Sequence, residues 1–535
     1  MRPIALLVAS TLATACATSS GAFTDSPTDA LRSEVAQTAA AAKTLLRAQN
    51  ERVWKHWVNG DALDLQPTYT GKDHVFSAHS IARVDALWAR SSDGREKRAL
   101  SHLRNYLAGE YVSARTFAAA ADAATAAATM MFSFENDSLP LRDLERTLAN
   151  EKQPSRRAAI YASATPAVQQ LTGLRATEEA QLEKTVRELG HASTESFAHA
   201  IRSGDVAALA KLASDLLDTT TADYQRVMDD LAKRELGIPL AQLTRADLPR
   251  LFRPMGVDAD FPKHALLSRA RATFSGLGFA LEGPLAPKLH LEDNKTQQPR
   301  PLALAVDIPH DVRVSMKLSG GLSDQASLLH HLALAFRDCH NKEARFELSV
   351  LGSPVVGRAF GLVFQDLVED PTWLKQQAGL SGPRLSRYLA AAAAYHLFVV
   401  RRAAGQLLYA VGVGKASAPE RQALYKKVTA RALGFPTGAD DEARAPLERD
   451  LTYASADALA AWLLAGQLQG VLRARFGDAW WTQPRAGEFL KTLWAQGNAQ
   501  SAEEIPATWG DKGLRVEPML ERLQRAWKAA RPVPD

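Results

Sequence analysis

Apolar residues recur at three- and four-residue spacing along most of the chain, the signature of helices buried on one face. The pattern predicts helices over Ala30–Trp57, Ser77–Arg90, Glu96–Met131, Leu141–Asn150 and Ser155–Ala162. It continues over Ala167–Leu189, Thr194–Arg202, Val206–Leu217, Ala222–Glu235 and Lys263–Gly276. The Ala-rich run Ala118–Ala128 is broken by Asp122, so it reads as a close-packed helix and not a membrane span. The period then changes. Lys288–Leu291, Leu302–Val306 and Val312–Met316 read as short strands separated by Gly, Pro and Asn turns. Gly320-Gly321 precede an apolar helix whose centre is Ser327-Leu328-Leu329-His330-His331-Leu332-Ala333-Leu334-Ala335-Phe336. Helices follow over Leu385–Leu408, Pro419–Leu433, Ala456–Phe476, Pro484–Trp494 and Val516–Ala530. Arg387 and Arg401-Arg402 lie too close together for the 385–408 segment to cross a bilayer. The predicted fold class is mainly α with a small sheet.

The N-terminus departs from this pattern. Met1-Arg2-Pro3 is a short basic start, and Ile4–Ala15 is apolar but too short to span a membrane. It ends Leu12-Ala13-Thr14-Ala15-Cys16, which resembles a bacterial lipoprotein signal with Leu one place further from the Cys than usual. Residues 1–16 are read as a signal peptide with Cys16 lipidated, and 17–29, rich in Ser, Thr, Gly and Pro, as a tether. The alternative is an ordinary signal peptide cleaved near Ala15 or Ala17. Thr18, and the absence of Asp at position 17, direct the expected protein to the outer membrane of a Gram-negative cell. Cys339 is then the remaining thiol, which leaves no intramolecular disulfide.

Composition narrows the picture further. A chain of 535 residues with 46% hydrophobic content can bury a large core, and abundant Ala favours helix. Removing Arg2 from 64 basic residues leaves 63 against 59 acidic ones, a mature charge near +4. That is small for the length, and no Lys/Arg run interleaved with aromatics occurs, so nucleic acid is not an expected partner. There is no G-x-S-x-G, P-loop, dinucleotide fingerprint or C-x-x-C; Gly412-Val413-Gly414-Lys415 lacks the upstream Gly of a P-loop.

The central segment carries a resemblance. Asp311-Val312-Arg313-Val314, Lys317, Gly320-Gly321 and Asp324, then Leu329-His330 and Ala335-Phe336, follow one another in the order of a gluzincin active-site helix and the segment before it. Val356, Phe360, Phe364, Asp370-Pro371 and Trp373-Leu374 follow in turn. Asp247-Leu248-Pro249-Arg250-Leu251-Phe252-Arg253 and Arg475-Phe476-Gly477-Asp478-Ala479-Trp480-Trp481 extend the likeness. Together these resemble the thimet oligopeptidase-like zinc metallopeptidases in their secreted bacterial form. The resemblance implies a large helical two-lobed fold over 30–535, with lobes at 30–285 and 376–535. A small antiparallel β-sheet and the active-site helices, within 286–375, would lie at the bottom of a cleft. It also implies a sheet edge that aligns an extended peptide by main-chain hydrogen bonds.

The framing residues match and the chemical ones do not. An H-E-x-x-H helix supplies two zinc-binding imidazoles and a Glu general base. Here the ligand positions hold His330 and Leu334, and the general-base position holds His331. The third ligand, a Glu in the family, aligns with Arg358, or with Gly357 after a one-residue slip; no Asp or Glu lies between Glu347 and Asp366. In the family a helix brings a Tyr and an Arg to the substrate. Tyr453 is present one place out of register, while Ala458, Ala460 and Ala465 replace the second Tyr, the Arg and a Glu. Zinc is the family cofactor but is not expected here, and no catalytic residue is intact.

A lone His on an apolar helix is more often a hydrogen-bonded core residue than a ligand. His340, ten residues beyond His330, stands about 15 Å along a continuous helix and off its face. Cys339 could act as a nucleophile only with a His beside it. His330, His331, Arg358 and Tyr453 are the candidate cleft residues. Arg358 is expected to turn its guanidinium into the metal's space and bond a carbonyl, a neutral His330 or His331, or a carboxylate; the alternative is that it turns to solvent. The expected function is a non-catalytic envelope lipoprotein that binds peptide or protein segments. The competing reading is a working zinc peptidase or other hydrolase with a rearranged site.

Lipid anchoring is directly testable. Mature protein is expected to partition into detergent, and Cys16→Ser to release it or leave the precursor uncut; wild type in the aqueous phase would end the idea.

Overall fold

The computed structural model describes residues 27–529 apart from 73, 203, 254, 255, 293 and 415. The signal peptide and most of the tether therefore lie outside the described residues, and the first helix, Pro27–Asn59, begins within the last three tether positions. The chain is mainly helical with small sheets. No helix among the described residues is long and apolar enough to cross a membrane.

Helix ends fall where capping chemistry places them. Ser77 and Asp93 accept from the Ser80 and Glu96 N–H groups and start Ala78–Arg90 and Gly94–Thr129. Gly237 and Gly434, both left-handed, end Val206–Leu236 and Ala418–Leu433. Two expectations are corrected here. Val206–Leu217 and Ala222–Glu235 are one helix, Val206–Leu236. The Thr220 and Thr221 hydroxyls bond the carbonyls of Leu216 and Leu217, four residues back, so the threonines stay in the helix. Between Gly94–Thr129 and the 3₁₀ turn at Leu141, strands Met131–Phe134 and Asp137–Pro140 form a hairpin unforeseen in the sequence pattern. Its turn puts Glu135 at φ 55°.

The second sheet needs a further correction. Strand Asp311–Ser315 is central; Leu302–Asp307 pairs with it antiparallel, but Lys288–His290 pairs with it parallel, so the sheet is mixed. The 291–301 connection carries the chain across, and Gln297 Nε2 fastens it to the His290 carbonyl and the Ser315 hydroxyl. Val312 and Val314 pack against Ala335 and Cys339 on the Leu322–Cys339 helix, which seats that helix on the sheet.

The largest core runs from Ala198 to Trp527 and draws on both flanking segments as well as the centre. Arg401, fully buried, helps close it. It donates to the carbonyls of Leu217, Arg431 and Ala432, tying Val206–Leu236, Gly382–Val413 and Ala418–Leu433 together. Separate smaller cores lie under Pro27–Asn59 with Gly94–Thr129, and under the hairpin.

Arg157 and Asp247 form a fully buried pair, Nε to Oδ1 2.8 Å, with Arg157 Nη1 also bonding the carbonyls of Glu151 and Lys152. Removing one partner of such a pair strands the other charge. Arg157→Met is expected to cost about 3–5 kcal/mol in urea unfolding. Arg156→Met, at a half-exposed ion pair with Glu135, is expected to cost less than about 1 kcal/mol.

Candidate functional site

Helices Leu322–Cys339 and Val355–Gln365 pack against each other, and glycine sets how closely. A Cβ on Gly361 would lie 2.6 Å from His330 Cε1, so the imidazole rests on bare backbone there. One turn earlier, a Cβ on Gly357 would lie 3.8 Å from Leu334 Cδ2. His330 thus faces 361 and Leu334 faces 357, and position 358 falls between these two contacts along the second helix. Beneath the pair is an aromatic layer: Phe274 stacks on Phe364 at 4.8 Å and meets Phe336 at 4.9 Å, while Phe279 lies 5.4 Å from Phe336 and 5.0 Å from Trp494.

Burial, aided by the charges of His331 and Arg358, pushes the His330 pKa down to about 4, so the ring is neutral at pH 7. Its Nδ1 is buried with no hydrogen-bond partner among the described residues. His331 is oriented differently. Its Nδ1 lies 2.7 Å from the Ser327 carbonyl, which places the proton there and leaves Nε2 as the acceptor. Burial lowers its pKa as well, and the two rings sit 5.2 Å apart.

Arg358 turns outward. It is exposed and makes no hydrogen bond or ion pair among the described residues, although its charge is felt by His330 and Asp457. This corrects the expectation that the guanidinium fills the metal's space: at an exposed position water solvates the charge with no desolvation cost. The buried arginine is instead Arg337, one turn past Leu334, whose Nη2 bonds the Gly497 carbonyl. Leu334 is half-buried and offers no lone pair.

The remaining candidates fall away from the helix pair. Tyr453 is only 4% exposed, sits at φ 55°, and packs against His199 at 4.9 Å; its ring belongs to the core and not to a cleft wall. The helix ends at Cys339 and His340 follows as its cap, Nδ1 2.9 Å from the Phe336 carbonyl. Cys339 is buried, and burial pushes its thiol up to about 12, which rules it out as a ready thiolate. The edge of strand Leu302–Asp307 is covered where Asn50 Nδ2 bonds the Ala305 carbonyl at 2.9 Å.

A second cluster escaped the sequence reading. Asp366, Glu369 and His396 bring ligand-type atoms within 4.8 Å of one another. Arg522 already supplies the cation: its guanidinium lies 3.0 Å from Asp366 Oδ2, 3.0 Å from Glu369 Oε2 and 3.0 Å from His396 Nδ1. Burial pushes Asp366 up; Glu369 is held down, because His396 and Arg522 outweigh the burial that opposes its charge. The polar residues inside the apolar runs at 361–369 and 388–400 were the available signal, but only the fold brings Arg522 to them. The framing Asp370-Pro371-Thr372-Trp373 is likewise structural: Asp370 caps a short helix, and the buried Trp373 donates to Thr273 Oγ1 at 3.0 Å.

No protein-family model and no curated protein matches the chain.

His330 makes stability depend on acid. Its folded pKa of about 4 lies below the 6.5 of an unfolded His, so the unfolded chain takes up the proton first as pH falls. Stability from this group is intact above about pH 6.5 and is lost between there and about pH 4. In urea titrations at pH 7 and pH 4, wild type is expected to lose about 2–3 kcal/mol relative to His330→Gln. A gap that does not change with pH would contradict this.

Proposed function

We propose that the protein is a non-catalytic relative of the thimet oligopeptidase-like peptidases, anchored to the envelope through Cys16, that holds peptide or protein segments without cutting them. In this reading the body has the two-lobed gluzincin architecture, and the surface around His331 and Arg358 lies in the cleft.

The observation that carries the reading is the chemistry of the three positions grouped where the helices Leu322–Cys339 and Val355–Gln365 meet. His330 lies against Gly361, Leu334 against Gly357, and Arg358 between them in sequence. These residues do not fit zinc. One neutral imidazole remains, Leu334 has no donor atom, and Arg358 is a fixed cation that opposes a dication. His331 in the general-base position keeps an Nε2 lone pair but lacks the carboxylate's charge.

The same groups suit recognition. His331 Nε2 can accept an N–H, and the outward Arg358 guanidinium can hold a carboxylate in a bidentate pair. The covered Leu302–Asp307 edge leaves side chains, more than strand addition on that edge, as the means of holding a segment.

The test restores the missing set. The triple change His331→Glu, Leu334→His and Arg358→Glu is expected to gain about one zinc per chain by metal analysis, while wild type takes up none. Zinc bound equally well by wild type would sink the proposal and favour a working metallopeptidase.

A further inference from the structure

We infer that a polar cavity beside the proposed cleft is a seat for a single carboxylate of an acidic peptide; this deepens the peptide-holding reading and rests on it. The cavity, about 390 Å³, lies between Gly94–Thr129, the start of Val355–Gln365 and the 498–504 segment. Four cations, Lys97, Arg98, Arg104 and Arg202, line it against one carboxylate, Glu504.

Charge pairing selects the occupant. Arg98 is held by Glu504, with Nη2 2.6 Å from Oε1; Arg104 faces Asp85 at 3.6 Å; Arg202 is paired with Asp457. Lys97 is the cation left over. Half-buried, it makes no ion pair among the described residues, and its Nζ lies 4.8 Å over the ring of Trp88. One surplus positive charge in a partly enclosed space matches a monoanion, which a carboxylate is at pH 7 and a phosphate dianion is not. The first turn of Val355–Gln365 adds to the attraction. Val356 lines the cavity, and the Val356 and Gly357 N–H groups have no acceptor within their own helix.

His102 is the second indication of a ligand. It lines the cavity and is only 8% exposed. Its Nδ1 lies 3.1 Å from the Glu347 carbonyl and so carries the proton, which leaves Nε2 as an acceptor with no partner among the described residues. Burial, with the charge of Arg98, keeps the ring neutral despite that hydrogen bond. A buried neutral acceptor and an unpaired ammonium lining one cavity suit a peptide: the ammonium takes a side-chain or terminal carboxylate, and Nε2 takes an N–H further along the chain. The half-exposed face of Trp88 offers apolar contact beside them. Arg202 lines the cavity, and its partner Asp457 also feels the charge of Arg358.

The experiment compares a fluorescein-labelled, amidated Ala/Ser/Glu dodecapeptide with its Gln counterpart, by fluorescence anisotropy on the full mature chain. The Glu peptide is expected to bind at least about tenfold tighter. Lys97→Gln should abolish that preference while leaving the Gln peptide's affinity unchanged. Equal binding of the two peptides by wild type, or a preference that survives Lys97→Gln, overturns the inference and leaves the peptide-holding proposal standing. If neither peptide binds, the peptide-holding proposal itself fails, and acylation of Lys97, followed by mass spectrometry, decides the cavity. Acetate slowing that acylation more than inorganic phosphate does would retain a carboxylate seat. No protection by either, or stronger protection by phosphate, would overturn it.

Discussion

The central constraint is the contact between the His330 imidazole and the bare backbone at Gly361. Two helices approach closely enough for a ring to replace a Cβ, and that approach fixes the register of everything around it. Leu334 meets Gly357 because His330 meets Gly361, and Arg358 is placed beside both because it lies between them on the second helix. The aromatic layer of Phe274, Phe279, Phe336, Phe364 and Trp494 holds the pair from beneath, and the mixed sheet holds the first helix from behind. Arg337, reaching the Gly497 carbonyl, locks the neighbouring loop to the same helix.

Around this centre the chain treats its charges in two ways. Buried guanidinium groups are met by groups from other elements: Arg157 by Asp247, Arg401 by three carbonyls, Arg522 by Asp366 and Glu369. Each ties together elements distant in sequence, since a buried charge is tolerable only where several groups converge on it. Cations near the proposed cleft are less fully answered. Among the described residues Arg358 has no ion-pair partner and Lys97 meets only the Trp88 ring, so both charges are left unanswered.

Much of this was legible from residue order. Helical periodicity placed the long helices to within a few residues, and the change of period at Lys288 placed the sheet. The identities of Leu334 and Arg358 limit what these two positions can offer, because a side chain without a lone pair lacks it in any fold. What periodicity missed was local competition. The hairpin at 131–140 is too short to register beside a long Ala-rich helix, and the 218–221 gap between two expected helices closes because the Thr220 and Thr221 hydroxyls find carbonyls four residues back.

Direction and partnership were decided by tertiary structure alone. Strand pairing depends on where the 291–301 connection crosses, so the parallel placement of Lys288–His290 has no signature in the strand itself. Tyr453 reads as a cleft residue in a one-dimensional register but is buried against His199, and Arg358 points to water although the sequence alignment expects it to turn inward. Asp366, Glu369, His396 and Arg522 span more than 150 positions, too far apart for any pattern to connect them. Sequence determined which atoms this protein has to offer, because composition and spacing are local. Which of those atoms meet, and which face outward, was decided by packing that no local window contains.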